Sequence, residues 1–252
     1  MERRVLVRRL AAVGLVLAAA AGPVLVYDRL VARQARQRRP SAQEIVDDFH
    51  RLAYPSRTIE NHWLGVPAQQ DPNDAWIIQE IMCETKPDYV IETGTLNGGS
   101  ATLWASVLEY VNPQGRVITI DVVDKVNKEQ LPPVARRKVD FLLGMSTAPE
   151  IVADVKQRVS GKRVLVILDS DHSKENVLAE LNTYAPLVQV GGYVIVQDTN
   201  VNGHPVRPDF GPGPMEAVEE FLARDSRFES DRSRERLLFT EHPKGYLKRI
   251  RS

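Results

Sequence analysis

Acidic and basic side chains cluster in the stretch ILDSDHSK, residues 167–174, directly after a run of apolar residues. Asp169 and Asp171 supply carboxylates, His172 an imidazole and Lys174 an amine. The apolar run KRVLVIL is typical of a buried strand, so these groups would stand at the carboxyl end of that strand. Carboxylates in such a position can bind a hard cation, and an imidazole can accept a proton near neutral pH.

The segments around this cluster alternate between strand and helix. The predicted strands are apolar throughout (DYVIET, RVITIDVV, VDFLLG, KRVLVILD and GGYVIVQD), and helical patterns follow them (GSATLWASVLEYV, PEIVADVKQRV and SKENVLAELNTYAPLV). Such a pattern indicates an α/β, Rossmann-like fold with a mostly parallel sheet covered by helices on both faces. PMEAVEEFLAR predicts one more helix, and RLLFT with GYLKRI predicts a closing antiparallel hairpin.

Two further helices are predicted before the first strand. Ser41 and Glu44 form a capping-box pattern, which predicts a helix from Ser41 to about Arg51. After a turn-rich stretch, Asp74 is predicted to begin a helix that ends near Thr85.

The first strand-to-helix turn is rich in glycine and small polar residues. It contains Glu92, Thr93, Gly94, Gly98 and Ser100. Glycines let the backbone approach a ligand closely, and the N-terminus of the following helix favours an anionic group. The spacing fits neither the P-loop nor the Gly-x-Gly-x-x-Gly fingerprint.

Polar residues also end the next strands. Asp121 closes the second strand, where a carboxylate can accept hydrogen bonds from both hydroxyls of a ribose; capping of the following turn is the alternative. Ser146 follows the third strand. Asp171 either contacts the same ligand or caps the helix that begins after it.

Asp169 and Asp198 close the fourth and fifth strands. Neighbouring strands lie ~4.8 Å apart, so the two carboxylates can converge on one hard cation such as Mg²⁺. The alternative is that both acids cap the helix and turn that follow them. This layout resembles that of catechol-type, cation-dependent O-methyltransferases, in which an acid followed by an amide side chain ends the fifth strand; the resemblance implies a third ligand, for which the candidates are Gln197, Thr199 and Asn200.

Two sets of motifs resemble known methyltransferases. The pattern E-x-G-x-x-x-G-x-S, residues 92–100, resembles the first motif of S-adenosylmethionine (SAM)-dependent methyltransferases, especially the cation-dependent O-methyltransferases. FHRLAY, ILDSDHS, VLAE and NVNGHPVRPDFGPGPMEAVE resemble the rhamnosyl O-methyltransferase and cephalosporin-hydroxylase-like family over about residues 45–250.

The resemblance implies a SAM domain with a divalent metal site. It implies SAM at the glycine turn, Asp121 and Ser146, and methyl transfer to a glycosyl, glycolipid or secondary-metabolite hydroxyl. Family members often carry Glu-Asp where this chain has Gln197-Asp198. A neutral residue there should weaken metal binding or alter its selectivity.

The resemblance also suggests a general base. In catechol-type enzymes a lysine follows the first metal acid by three residues, and here His172 follows Asp169 by three. A structural hydrogen bond to the loop after the fifth strand is the alternative role for His172. His204 and Lys174 are further candidates, and the loop VNGHPVRPDFGPGP is expected to cover the acceptor with His204 and Arg207 facing inward.

Two other function classes stay open. Gln197 favours a non-catalytic, SAM-binding or membrane-tethered interaction protein, whereas His172, His204 and Asp169 could form the iron site of a hydroxylase.

With 33 basic and 33 acidic residues, no charge bias favours a nucleic-acid partner. Cys83 is the single cysteine, which excludes an intrachain disulfide. The oligomeric state stays open, a homo-oligomer included.

The N-terminal region differs from the rest of the chain. Residues 10–27, LAAVGLVLAAAAGPVLVY, are apolar and uncharged with arginines on both sides, which predicts a membrane anchor. A cleaved signal peptide and a helix lying on the membrane surface are the alternatives. We expect residues 1–40 to be anchor and basic linker, and residues 41–252 to be a methyltransferase domain in the cytoplasm, where SAM is available.

Overall fold

The computed structural model describes residues 39–54 and 61–252. The chain divides into two compact units, residues 1–45 and 46–252. The predicted N-terminal hydrophobic helix lies outside the described residues, so the anchor and the domain boundary at residue 40 stay predictions. Among the helices that are described, none is long and apolar enough to cross a bilayer.

The helices before the sheet begin at well-defined caps. Helix α1, Ala42–Ala53, has the predicted capping box: Ser41 Oγ accepts the Glu44 N–H at 3.2 Å, and Glu44 Oε2 accepts the Ser41 N–H at 2.7 Å. A short hairpin follows, formed by β1 (His62–Trp63) and β2 (Val66–Pro67).

Helix α2, Pro72–Thr85, begins earlier than predicted. Asp71 is the cap, because its Oδ1 accepts the N–H groups of Asn73 and Asp74 at 2.8 and 3.3 Å. Proline fits the first helical position, where no N–H is needed. Asp74 therefore lies inside the first turn, and its carboxylate is buried and available for a different contact.

One large sheet organises the rest of the chain. Its strands are β3 (Tyr89–Thr93), β4 (Arg116–Asp121), β5 (Val139–Leu143), β6 (Val164–Leu168), β7 (Tyr193–Val196), β8 (Phe228–Ser230) and β9 (Tyr246–Arg249). Their order in the seven-stranded sheet is β5-β4-β3-β6-β7-β9-β8. The pairs from β5 to β7 are parallel, whereas β9 runs antiparallel to both β7 and β8. The predicted mostly parallel sheet is thus confirmed.

Helices cover both faces of this sheet. They are α3 (Gly99–Val111), α4 (Pro133–Lys138), α5 (Pro149–Val159), α6 (Lys174–Tyr184) and α7 (Pro214–Arg224). Neighbouring residues of one strand belong to opposite cores: Val90 packs with α2, α3 and α4, and Ile91 packs with α5, α6 and α7. This period of two, with apolar residues on both sides, is why the strands read as continuous apolar runs.

The closing hairpin differs from the prediction. β9 pairs with β8, in the register Glu229 opposite Lys248, and RLLFT (residues 236–240) forms no strand. Leu237 and Leu238 are exposed, and Leu238 has φ 70°, a left-handed conformation that a strand does not accommodate. RLLFT instead leads back towards the carboxyl end of β7.

Candidate functional site

A cavity of about 820 Å³ opens at the carboxyl ends of β3, β4 and β6. The strand order reverses between β3 and β6, and such a switch point is where parallel sheets bind ligands. The volume lies in the range of ~300–1,000 Å³ that is usual for ligand pockets. The predicted site residues that line it are Gly94, Ser100, Asp121, Ser146, Asp169, Asp171, His172 and Asp198.

The glycine turn brings the ends of β3 and β6 together. Gly94 has φ 89°, and a Cβ at this position would lie 1.9 Å from the Asp169 carbonyl oxygen. Thr93 holds the same junction, because its carbonyl oxygen accepts the Asp169 N–H at 2.9 Å. Gly98, with φ 80°, then starts α3 without a side-chain cap. Only glycine permits this geometry at residue 94.

Glu92 supports the turn from beneath and does not face the cavity, since its side chain is fully buried. Its two carboxyl oxygens accept hydrogen bonds from the Trp104 indole at 2.8 Å and the Thr119 hydroxyl at 2.7 Å. Burial raises the pKa of Glu92 to about 7 despite these hydrogen bonds. Glu92 is therefore not placed to contact a ligand in the cavity directly.

Asp121 has the capping role that the sequence left as an alternative. Its Oδ2 accepts the N–H groups of Thr95 and Leu96 at 3.0 and 2.9 Å, and its Oδ1 accepts that of Val123 at 3.0 Å. The same carboxylate lines the cavity and retains acceptor capacity. Asp121 thus fixes the glycine turn and still lines the cavity.

A buried acid behind the cavity was missed by the sequence reasoning. Glu180 Oε1 accepts hydrogen bonds from Ser146 Oγ at 2.5 Å and from Ser170 Oγ at 2.7 Å. Burial raises the pKa of Glu180. The available signal was an acid on the otherwise apolar buried face of α6, between Val177 and Leu181.

Two acids and an imidazole converge at the ends of β6 and β7. One ligand atom from each of Asp169, His172 and Asp198 lies within 4.8 Å of the others, and all three side chains are half-buried. His172 Nε2 is 3.2 Å from Asp198 Oδ2 and 4.0 Å from Asp169 Oδ1. The contact with Asp198 is compatible with the structural role that the sequence left as an alternative for His172, and also with its role as a base. Asp171 turns towards the start of α6, where its Oδ1 accepts the Ser173 N–H at 2.9 Å.

Two amide side chains hold Asp169 in this cluster. One amide atom of Gln197 lies 2.9 Å from Asp169 Oδ2, and because a carboxylate only accepts, we assign that atom as nitrogen. Gln70 Nε2 lies 3.2 Å from the same oxygen. Gln197 is 3% exposed and acts here as a hydrogen-bond donor. Nothing in the turn-rich sequence around Gln70 identified it as part of the site.

The other two candidates for a third ligand are fully buried. The Thr199 hydroxyl is directed away from the acids, since it donates to the Pro243 carbonyl at 2.6 Å. Asn200 donates its backbone N–H to the Glu241 carbonyl at 3.3 Å. Both residues therefore tie the loop after β7 to the segment before β9.

Two predicted catalytic candidates have other partners, which corrects the expectation. His204 Nε2 lies 2.9 Å from Glu216 Oε1 on α7, and His204 is not among the described residues that line the main cavity. Lys174 Nζ lies 2.6 Å from Glu220 Oε2, and this hydrogen bond raises the pKa of Lys174, which opposes a role as base. Arg207 lies over an aromatic ring of its own loop, 4.9 Å from the centroid.

Known proteins resemble this chain in sequence and in fold. A family model described as Rhamnosyl O-methyltransferase/CmcI matches residues 56–250. A curated rhamnosyl O-methyltransferase of Mycobacterium tuberculosis (strain ATCC 25618 / H37Rv) is 36% identical over 237 residues, which cover 90% of this chain and 94% of the relative. That of Mycobacterium leprae (strain TN) is 37% identical over 210 residues, 81% of this chain and 90% of the relative.

Solved methyltransferase structures have the same fold at lower sequence identity. CmcI with Mg and SAM superposes with a TM-score of 0.56 and 17% identity, covering 77% of this chain and 78% of its own. The O-methyltransferase TomG from Streptomyces achromogenes, in complex with SAM, gives 0.54 and 18%, covering 85% and 92%. The expected Rossmann-like methyltransferase fold is confirmed, and the chain belongs to the Rhamnosyl O-methyltransferase/CmcI family.

Proposed function

We propose that this protein transfers a methyl group from SAM to a hydroxyl of a glycosyl acceptor with the help of a divalent cation. The observation that carries the proposal is the convergence of Asp169, His172 and Asp198 at the edge of a large cavity over the glycine turn. Family membership supports the reaction class, and the names of the mycobacterial relatives support a rhamnosyl acceptor. The neighbours described with SAM, or with Mg and SAM, support the cofactors.

The residues of the cavity fit SAM. The backbone at Gly94 has no side chain between it and the cavity, and the start of α3 follows within a few residues. Asp121 offers carboxylate oxygens to ribose hydroxyls, and Ser146 lies on the wall where the third strand ends. Asp171 also lines the cavity, so a contact with SAM stays part of the proposal.

The acid cluster fits a divalent cation. Asp169 and Asp198 supply oxygen ligands of the kind that Mg²⁺ prefers. Gln197 donates to Asp169 and so favours its ionised form. The hydrogen bond from Gln197 to Asp169 argues against the prediction that Gln197 is itself a ligand of the cation.

The chemistry follows from these positions. SAM supplies an electrophilic methyl group, and a bound cation would orient the acceptor and make its hydroxyl more acidic. His172 is the one histidine among the described residues that line the cavity. We therefore assign it the role of the general base, which accepts the proton from the acceptor hydroxyl. The Asp198 carboxylate, 3.2 Å from Nε2, offsets the positive charge that then forms on the ring.

A second cavity is the proposed place for the rest of the acceptor. Its volume is about 320 Å³, and Tyr54 and Gln70 line both cavities. Phe239 lies on its wall and is stacked by His50 at 4.1 Å, while Phe49 meets it edge-on at 5.1 Å. Aromatic faces next to polar side chains suit a sugar ring, whose C–H groups pack on the ring and whose hydroxyls need partners.

The test is methyl transfer by the full-length protein. We expect transfer from isotope-labelled SAM to an alkyl or aryl rhamnoside in the presence of Mg²⁺, and loss of transfer after chelation. SAM binding by calorimetry without transfer to any hydroxyl acceptor would support the non-catalytic alternative. Transfer that is unaffected by chelation would remove the cation from the proposal.

The N-terminal segment carries a separate proposal. Because residues 10–27 are apolar and flanked by arginines, we propose that they anchor the protein with its catalytic domain in the cytoplasm. Carbonate-resistant sedimentation with membranes is the expected result, and release by carbonate would contradict it.

A further inference from the structure

The loop after β7 is held from behind by a buried histidine. Asp198 has φ 53°, a left-handed conformation that is uncommon for a residue with a side chain. Its backbone N–H points away from the cavity and donates to His242 Nδ1 at 3.2 Å. This hydrogen bond fixes the backbone from which the Asp198 carboxylate reaches towards Asp169.

The hydrogen bond also defines which nitrogen of His242 carries the proton. A backbone N–H can only donate, so Nδ1 must be the acceptor, and a neutral ring then carries its proton on Nε2. Nε2 lies 3.6 Å from Asp74 Oδ2, and His242 is 2% exposed. The ring is therefore held through Nδ1 by the Asp198 backbone, while Nε2 is buried near the Asp74 carboxylate without a hydrogen-bond partner among the described residues.

Asp74 is itself held firmly. Its Oδ1 accepts the hydroxyl groups of Thr240 at 2.5 Å and Tyr246 at 2.7 Å, and its Oδ2 accepts the Glu241 N–H at 2.8 Å. These donors lie on both sides of His242 in the sequence, so Asp74 ties this segment to α2. The resulting chain of contacts runs from α2 through His242 to Asp198.

We propose that His242 is a positioning residue for the acid cluster. It holds Asp198 in its left-handed conformation, so that the carboxylate faces Asp169 before any cation binds. The effect on cation binding rests on the proposed function, whereas the effect on the backbone does not. His242 does not line the main cavity among the residues described, so a direct contact with substrate is not involved.

The first measurement is hydrogen exchange of the full-length protein without added metal. In His242→Leu the Asp198 amide loses its acceptor, and we expect exchange in the peptide that contains residues 197–201 to accelerate by about fivefold, as for the loss of one hydrogen bond. His242→Asn should largely restore protection, since its side-chain oxygen can replace Nδ1. In His242→Gln the side-chain oxygen is displaced by one methylene, so we expect this variant not to restore protection. It takes the place of His242→Leu if the leucine variant does not fold.

Ile77→Val is the matched control. Ile77 is buried on α2 near Asp74 in sequence, and its shortening costs core packing without removing a contact of His242. We expect normal exchange of residues 197–201 in this variant. Unchanged exchange in both His242→Leu and His242→Gln would overturn the proposal.

The second measurement is Mn²⁺ affinity by electron paramagnetic resonance. We expect His242→Leu to weaken Mn²⁺ binding by about 10- to 100-fold, as is typical for residues that orient metal ligands, with SAM affinity unchanged. His242→Asn should recover most of the affinity. If the wild-type protein binds no Mn²⁺, the proposed cation site fails, and hydrogen exchange still decides whether His242 positions the loop.

Discussion

Replacing Glu92 with glutamine should stabilise the protein, and more so at higher pH. Burial raises the pKa of Glu92 from 4.5 to about 7, so between these values the folded state keeps a proton that the unfolded state has lost. Folding stability therefore falls as pH rises from about 4.5 to 7, and the loss is complete above pH 7. At about 1.4 kcal/mol per pKa unit, the ionised carboxylate costs the folded state about 3 kcal/mol.

The local hydrogen bonds explain why glutamine should be tolerated. The Trp104 indole can donate to the amide oxygen as it does to Glu92 Oε1. The amide nitrogen can donate to the Thr119 hydroxyl, which in turn can donate to the Thr95 hydroxyl 2.7 Å away. Glutamine thus imitates the protonated acid and removes the charge without leaving an unpaired buried group.

The assay is urea unfolding at pH 5 and pH 8. We expect the free energy of unfolding of Glu92→Gln, relative to wild type, to increase by about 2–3 kcal/mol between these pH values. Glu150→Gln, at an exposed position on α5, is the control and should show no such trend. A stability difference that does not change with pH, or that favours wild type at pH 8, would refute the reasoning.

Four further outcomes test the site. Asp198→Asn should weaken Mn²⁺ binding by about 10- to 100-fold while SAM affinity, measured by calorimetry, stays the same. His172→Ala should lower kcat by about 10²–10⁴-fold at saturating SAM and metal, and a near-wild-type rate would remove it as the base. Phe239→Leu should raise KM for a rhamnoside with little change in kcat, whereas the exposed Trp76→Leu should leave both unchanged. Lys174→Met should keep activity within about twofold, because its partner is on α7; a larger loss of activity would return it to the site.

The fold was predictable because its strands leave a clear pattern. Strands that are buried on both faces read as uninterrupted apolar runs, and the helices between them read as amphipathic segments. The last hairpin was not predictable in the same way. Leu237 and Leu238 have the composition of a strand, yet the left-handed φ at Leu238 comes from the path that the chain takes back to the end of β7.

The site was predictable where its residues follow strands directly. Asp169 and Asp198 closely follow the neighbouring parallel strands β6 and β7, so the register of these strands places both acids at the same edge of the sheet. Gln70 and His242 were not predictable, because their contacts with these acids join segments that are 99 and 44 residues apart. The contact of His204 with Glu216 was not predictable either, because it depends on how α7 packs against the loop.

The hydrogen bond from Gln197 to Asp169 gives a physical reason for a neutral side chain at residue 197. A glutamate in its place would put a third carboxylate beside Asp169 and Asp198, and without a cation the three charges would repel one another. The amide instead donates to Asp169 and holds that carboxylate in place without adding charge. Such a site loses Coulombic attraction for the cation but needs less rearrangement to bind it. With glutamine at residue 197, we therefore expect weaker cation binding than with glutamate, in a site whose carboxylates are already in place before the cation binds. His242 contributes to the same preformed geometry, because it holds the backbone of Asp198.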